Sequence, residues 1–213
     1  MTIAAEEEVW AYHAYLQNIS WETYERLLKD LAEQNVRLTY DQGELEIMAP
    51  LPEHELGKTL LARLIETMAE ELDIELDGLG STTFKRKSLK KGLEPDECYY
   101  LKNAAAIRGK KRLDLRRDPP PDLVIEVDLS HRTIDKRVIY AAMRVPEIWS
   151  FDRGVLEFLH LRSGKYESRE ISLAFRFLKP SHVERFLQMQ QSQGQTSIVK
   201  AWRAWVRKNA AAD

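Results

Sequence analysis

The run that most constrains this chain is Asp-Leu-Val-Ile-Glu-Val-Asp, residues 122–128. Its apolar and β-branched residues read as a strand, and the pleat sends alternate side chains to opposite faces. Leu123, Ile125 and Val127 share one face; Asp122, Val124, Glu126 and Asp128 share the other. Helical patterns lie before and after it, so the strand is expected near the middle of a sheet. A carboxylate buried there alone is destabilising by several kcal/mol unless it is neutralised, paired or metal-bound. Two readings of Glu126 follow from the strand itself. It is a functional carboxylate, or it sits on a solvated edge or beside an arginine.

Around that strand the pattern is mixed α/β. Ser20 is placed to cap a helix whose Trp21, Tyr24, Leu27, Leu28 and Leu31 share one side. Val36–Tyr40 and Glu44–Met48 read as hairpin strands about a three-residue loop, Asp41-Gln42-Gly43. Beyond Pro50 and Pro52 the spacing predicts a long helix with Leu56, Leu60, Leu64, Ile65, Met68 and Leu72 as its stripe. Ile74–Leu76 and Thr82–Phe84 are expected as strands, with another near Pro95–Leu101. Pro119, Pro120 and Pro121 stiffen the approach to Asp122.

Next come a helix over 133–144, strands over 147–151 and 155–161, and a hairpin at Ser163-Gly164. A capping box, Ser181 with Glu184, precedes Val183, Phe186 and Leu187. Ile198, Val199, Trp202, Trp205 and Val206 stripe a last helix, and Ala210–Asp213 is expected to fray. With no repeat and no low-complexity linker, residues 1–213 read as a single domain.

Composition narrows the function. There is no run of eighteen apolar residues, and the acidic start MTIAAEEEVW does not read as a signal peptide, so no membrane span and a cytoplasmic location are expected. Cys98 is the only cysteine, and His13, His54, His131, His160 and His182 show no ligand spacing; zinc is not expected. Net charge is −2, but Lys85 to Arg117 holds twelve Lys/Arg against four Asp/Glu. Lys85, Arg86 and Lys87, with Lys110, Lys111 and Arg112, are the candidate phosphate contacts in that stretch. The other reading is a pair of solvated loops.

Two further residues stand out. Asp96 follows Pro95, which fixes the backbone at a strand's start and aims the carboxylate away from the ladder. Lys136 falls in the first turn of the helix after Glu126, where the helix dipole disfavours a cation by a few tenths to about 1 kcal/mol. A short loop from Asp128 returns the helix start to the same sheet edge, within reach of Glu126. The alternative is an exposed surface lysine. Tyr140 reads as packing, and Trp149, Trp202 and Trp205 as core or interface.

In order, Pro-Asp on one strand, a carboxylate on the next and a lysine after it resemble the restriction-endonuclease-like core, with its PD-(D/E)xK signature. More narrowly the chain resembles the Uma-two family of endonuclease-like proteins, long a domain of unknown function. The words that carry this are Gly43-Glu44-Leu45-Glu46-Ile47-Met48-Ala49-Pro50 with His54, then Gly92-Leu93-Glu94-Pro95-Asp96-Glu97-Cys98-Tyr99-Tyr100. After them come Pro120 to Asp128, Lys136 with Tyr140, and Val145-Pro146-Glu147-Ile148-Trp149. The resemblance covers about residues 20 to 160.

It implies a central mixed sheet flanked by helices, a core over about 50–160, an N-terminal helix and hairpin, and C-terminal helices. It further implies that Asp96 and Glu126 bind Mg²⁺ or Mn²⁺, with Lys136 as the catalytic cation. Asp128 stands where the general signature has lysine, and Lys136 fits a lysine moved to the next helix. Glu55 is the candidate to complete the metal set, with Glu44 as its alternative; His54 is expected to be structural or to touch substrate. The function implied is a metal-dependent endonuclease acting on DNA, with a homodimer as a possible state for which the Trp202/Trp205 stripe could serve. The alternatives are a catalytically silent nuclease fold used for nucleic-acid or protein binding, and another metal-assisted phosphoesterase.

Overall fold

The computed structural model describes residues 13–128 and 133–210. The acidic N-terminal run, His131 and the tail beyond Ala210 lie outside the described residues. A strand absent from the sequence reading, β1 (His13–Leu16), comes first. Ser20 caps α1 (Trp21–Asp30), its hydroxyl accepting from the Thr23 amide at 3.1 Å. β2 (Arg37–Asp41) and β3 (Glu44–Met48) follow. Their turn has two residues, not three. Asp41 pairs with Glu44, and Gln42 and Gly43 both take positive φ, as the strand twist of a tight hairpin requires.

α2 (Pro52–Glu71) buries Leu60, Leu61, Leu64, Ile65 and Met68. Leu56, expected in the stripe, is 56% exposed. Residues 74–76 form no strand; the short β4 is Asp77–Gly78, and β5 (Phe84–Arg86) starts later than expected. The basic run then hides a strand, β6 (Lys91–Leu93), which Lys91 can enter because its ammonium meets Asp41 at 2.6 Å. β7 (Glu97–Tyr100), the one-turn α3 (Ala104–Ile107), β8 (Leu123–Asp128), α4 (Lys136–Met143) and β9 (Glu147–Asp152) follow. β10 (Val155–Arg162), β11 (Lys165–Arg169), α5 (Pro180–Gln188) and α6 (Gln195–Asn209) end the series. α5 begins at Pro180, so Ser181 lies inside the helix and is not its cap. Glu184 instead accepts from the Leu156 amide at 2.8 Å.

Two sheets result. The first is antiparallel in the order β1-β3-β2-β6-β5, with α1 packed on it through Trp21, Tyr24, Leu38, Tyr40 and Leu45. The second is mixed, in the order β11-β10-β9-β8-β7-β4, and among the described residues only β8 and β9 run parallel. Helices cover both of its faces. Leu123, Ile125 and Val127 join the core of α2, α5 and α6, whereas Val124 joins that of α4 with Ile139, Tyr140 and Met143. The alternation expected for 122–128 is therefore realised, with β8 inside the sheet.

Trp202 is fully buried, donates to the Leu64 carbonyl at 2.8 Å and stacks on Trp205 at 5.0 Å. The stripe that could have served a dimer is thus used inside the chain. Among the described residues no helix is long and apolar enough to cross a membrane.

Candidate active site

The chain leaves the first sheet at Leu93 and enters the second at Glu97, so Glu94-Pro95-Asp96 is the crossover. β7 pairs with β8 through Glu97 and Ile125, which sets Asp96 beside the Glu126–Val127 link. Asp96 is 1% exposed. Its Oδ2 accepts from the Val127 amide at 2.8 Å and lies 3.1 Å from His54 Nε2. His54, near the start of α2, is itself buried. The Pro95 ring supplies no N–H, so this end of β7 is shaped by the carboxylate's bonds and not by a ladder.

On the face toward α4 stands Glu126, 7% exposed. Lys136 Nζ donates to its two oxygens at 2.9 and 3.2 Å and to the Glu94 carbonyl at 3.2 Å. Lys136 is 6% exposed and is the first residue of α4, whose cap is Asp135, accepting from the Arg137 amide at 3.0 Å. The dipole penalty at that position is small beside the attraction of a buried carboxylate this close. Tyr140, one turn on, also donates to Glu126 Oε1. The sequence reading took Tyr140 for packing; a tyrosine one helical turn after a site lysine was the available signal, since both share a face.

Glu126, Lys136 and Tyr140 border a cavity of about 410 Å³, which continues past Asp128, Ser150 and Asp152. Asp128 and Asp152 are register partners on the parallel strands. Asp128 therefore lies on the Glu126 face toward the strand end, while the cation facing Glu126 is Lys136.

The other candidates are less central. Glu55 contacts Lys58 at 2.6 Å and His54 Nδ1 at 3.4 Å, so its link to Asp96 runs through the imidazole. Burial pushes its carboxyl up, but the Lys58 hydrogen bond and the charges of Lys58, His54 and Arg37 outweigh that and hold it below the usual range. Glu44 is exposed and accepts from the Tyr15 hydroxyl at 2.7 Å. The buried hairpin glutamate is Glu46, missed by the sequence reading, which accepts from the Thr133 amide at 2.9 Å just before α4.

The basic residues are partly committed. Lys85 pairs with Glu25 at 2.9 Å, Lys87 with Glu22 at 3.1 Å, and Lys110 with Asp118. Arg86 is half-buried, and Lys111 and Arg112 are exposed.

Among the described residues no three histidine, cysteine or carboxylate side chains gather closely enough to hold an ion by themselves. Ions such as Mg²⁺ and Mn²⁺ are generally held by one or two carboxylates, with water and substrate phosphate completing the shell.

A family model, Uma2, described as "Putative restriction endonuclease", matches residues 21–194. No curated protein matches the chain. Among solved structures, one titled as a "putative nuclease belonging to DUF820", from Anabaena variabilis, is similar at 13% identity and a TM-score of 0.46, over 78% of this chain and 90% of that one.

Proposed function

The chain belongs to the Uma2 family of restriction-endonuclease-like proteins, and from that premise we propose that it is a metal-dependent endonuclease that hydrolyses phosphodiester bonds in DNA. The observation that carries the proposal is the Lys136 ammonium at 2.9 Å from Glu126, on a strand whose next amide is bound by Asp96. Asp96 and Glu126 would hold Mg²⁺ or Mn²⁺, which, when bound, neutralises phosphate charge and acidifies a water.

The chain's own residues do the rest. The Val127 amide and His54 fix the Asp96 carboxylate before any ligand arrives, so little reorganisation is left for the reaction. Lys136 bears a positive charge held in place by Glu126 and the Glu94 carbonyl, suited to the extra negative charge on the phosphorus in flight. Tyr140 holds Glu126 in one rotamer. Lys111 and Arg112, exposed on the 108–118 segment, are the candidate backbone contacts with most charge to offer.

A second reading is favoured by the same bonds. Lys136 and Tyr140 together satisfy Glu126 without a metal, as in a silent nuclease fold that only binds nucleic acid or protein. Plasmid cleavage with Mg²⁺ or Mn²⁺ separates the two. Wild type should cleave, and Lys136→Ala and Glu126→Gln should fall by about 10²–10³-fold, as when one transition-state donor is lost. Equal cleavage by wild type and Lys136→Ala would mark a contaminant. Mn²⁺ binding by calorimetry that disappears in Glu126→Gln supports the enzyme; no binding at millimolar metal supports the silent fold.

A further inference from the structure

Glu94 does two jobs at the crossover between the sheets. The β2–β6 register, Tyr40 with Gly92 and Asp41 with Lys91, extends to Leu38 opposite residue 94. The β5–β6 register, Phe84 with Leu93 and Lys85 with Gly92, extends to Thr83 opposite the same residue. At residue 94 the backbone has already left the first sheet for the second, so it cannot serve these two neighbours as a strand would. The Glu94 side chain serves them instead. Its Oε2 accepts from the Leu38 amide at 3.0 Å, and its Oε1 accepts from the Thr83 hydroxyl at 2.7 Å. The Glu94 carbonyl is thereby released to face Lys136, from which it accepts at 3.2 Å. Two residues on, Asp96 is bound by the Val127 amide.

We infer that Glu94 is a positioning residue: its carboxylate clamps the crossover to β2 and to the residue that leads into β5, and so sets Lys136 and Asp96 in register with Glu126. The inference rests on the reading of Asp96, Glu126 and Lys136 as active-site groups. The physical reason is geometric. A three-residue crossover without a ladder has two soft dihedrals at Glu94 and at Asp96, and Pro95 removes only one φ. Two side-chain hydrogen bonds, one to β2 and one to the approach to β5, fix the entry to that corner, much as outer-shell partners orient metal ligands.

The test uses the full chain with Glu94→Ala, Glu94→Gln and Thr83→Val. Lysine accessibility is read residue by residue by acylation with an amine-selective reagent and mass spectrometry, without metal or substrate, and exposed Lys200 is the internal reference. Glu94→Ala should raise acylation of Lys136 relative to Lys200 by about tenfold and lower Mn²⁺ affinity by about 10- to 100-fold, the range for loss of an orienting partner. Glu94→Gln keeps an acceptor oxygen for Leu38 and a group that can meet the Thr83 hydroxyl, so it should stay within about threefold of wild type in both.

Should Glu94→Ala fail to fold, Thr83→Val carries the test, with an expected rise at Lys136 of about threefold for one broken hydrogen bond. Wild-type Lys136 acylation in folded Glu94→Ala or Thr83→Val, with only the melting temperature lowered, would overturn the inference and leave Glu94 a plain structural tie. Absence of Mn²⁺ binding and cleavage in the wild type would remove the nuclease reading, while the acylation ratio would still decide whether Glu94 places Lys136.

Discussion

Replacing Lys136 by alanine tests the site without assuming any activity. Both members of the Lys136–Glu126 pair are more than nine-tenths buried, and the ammonium meets both carboxylate oxygens. Alanine removes the Lys136 charge from beside the carboxylate, which keeps the Tyr140 hydroxyl. Removing one partner of a buried pair is destabilising by about 3–5 kcal/mol. For a chain of this length each kcal/mol moves the melting temperature by about 2–4 °C, so the expected drop is about 6–20 °C. The double variant Glu126→Gln with Lys136→Met removes both charges and should return close to wild type, since swapping a buried pair for neutral groups is often neutral or better. Thermal unfolding by circular dichroism in EDTA reads both. A loss below about 1 kcal/mol, the scale of a surface pair, would refute the buried-pair reasoning. So would a double variant no more stable than the single. Mn²⁺ at one hundred times the Kd of Lys136→Ala should stabilise that variant by about 2.7 kcal/mol and wild type by less; equal effects on both proteins would place the ion elsewhere.

Three further outcomes are expected. A Cβ on Gly92 would lie 2.3 Å from the Tyr24 hydroxyl and 2.8 Å from its ring, and Tyr24 is stacked on Tyr40 at 4.7 Å, so Gly92→Ala should lose about 1–3 kcal/mol by calorimetry, and an unchanged melting temperature would be inconsistent with that packing. Burial pushes the Glu97 carboxyl up, so the folded state holds its proton more tightly than the unfolded one; stability should therefore fall as pH rises from the ordinary carboxylate range through the raised value, and Glu97→Gln should flatten that slope in urea melts across pH 4 to 7. Alanine at Lys111 or Arg112 should weaken DNA binding evenly across sequences and reduce the salt slope by about one for each phosphate no longer neutralised, whereas Lys85→Ala and Lys87→Ala, already paired to Glu25 and Glu22, should do less; fluorescence anisotropy at several salt concentrations would expose the opposite order.

What could be read from the sequence follows the range of the forces involved. β8 was legible because period-two alternation is local, and both faces of it are buried as written. Lys136 was legible because a cation at a helix start runs against the dipole, which asks for a partner. The short strands β1, β4 and β6 were not, having two to four residues each and being held wholly (β1, β4) or on one side (β6) by neighbours far along the chain. β6 was masked further by its basic first residue, since the partner of Lys91, Asp41, lies fifty residues away. Glu147 is the clearest miss. It is fully buried and accepts from nearby Trp149 Nε1 and from the Leu173 and Ala174 amides, distant partners that no local spacing announces. The acidic partners of Lys85, Lys87 and Lys110 were not legible for the same reason, because charge counts along a chain do not reveal which acids fold back onto it.

The Lys136–Glu126 pair is a poor device for holding α4 to the sheet. Ile139, Tyr140 and Met143 already pack that helix against Val124 and Ile148, and a well-fitted apolar pair at 126 and 136 would add adhesion without desolvating two charges. The same holds for Asp96, which is taken almost wholly out of water at a corner where an uncharged acceptor could bind the Val127 amide. On the proposed function, these three ionisable groups, each oriented by further hydrogen bonds, act on a charged ligand more than on the fold. The charge-free double variant separates these. If it is as stable as wild type yet neither binds Mn²⁺ nor cleaves DNA, the pair belongs to the chemistry; if it is stable and retains both, the nuclease assignment of these residues is wrong even though the fold stands.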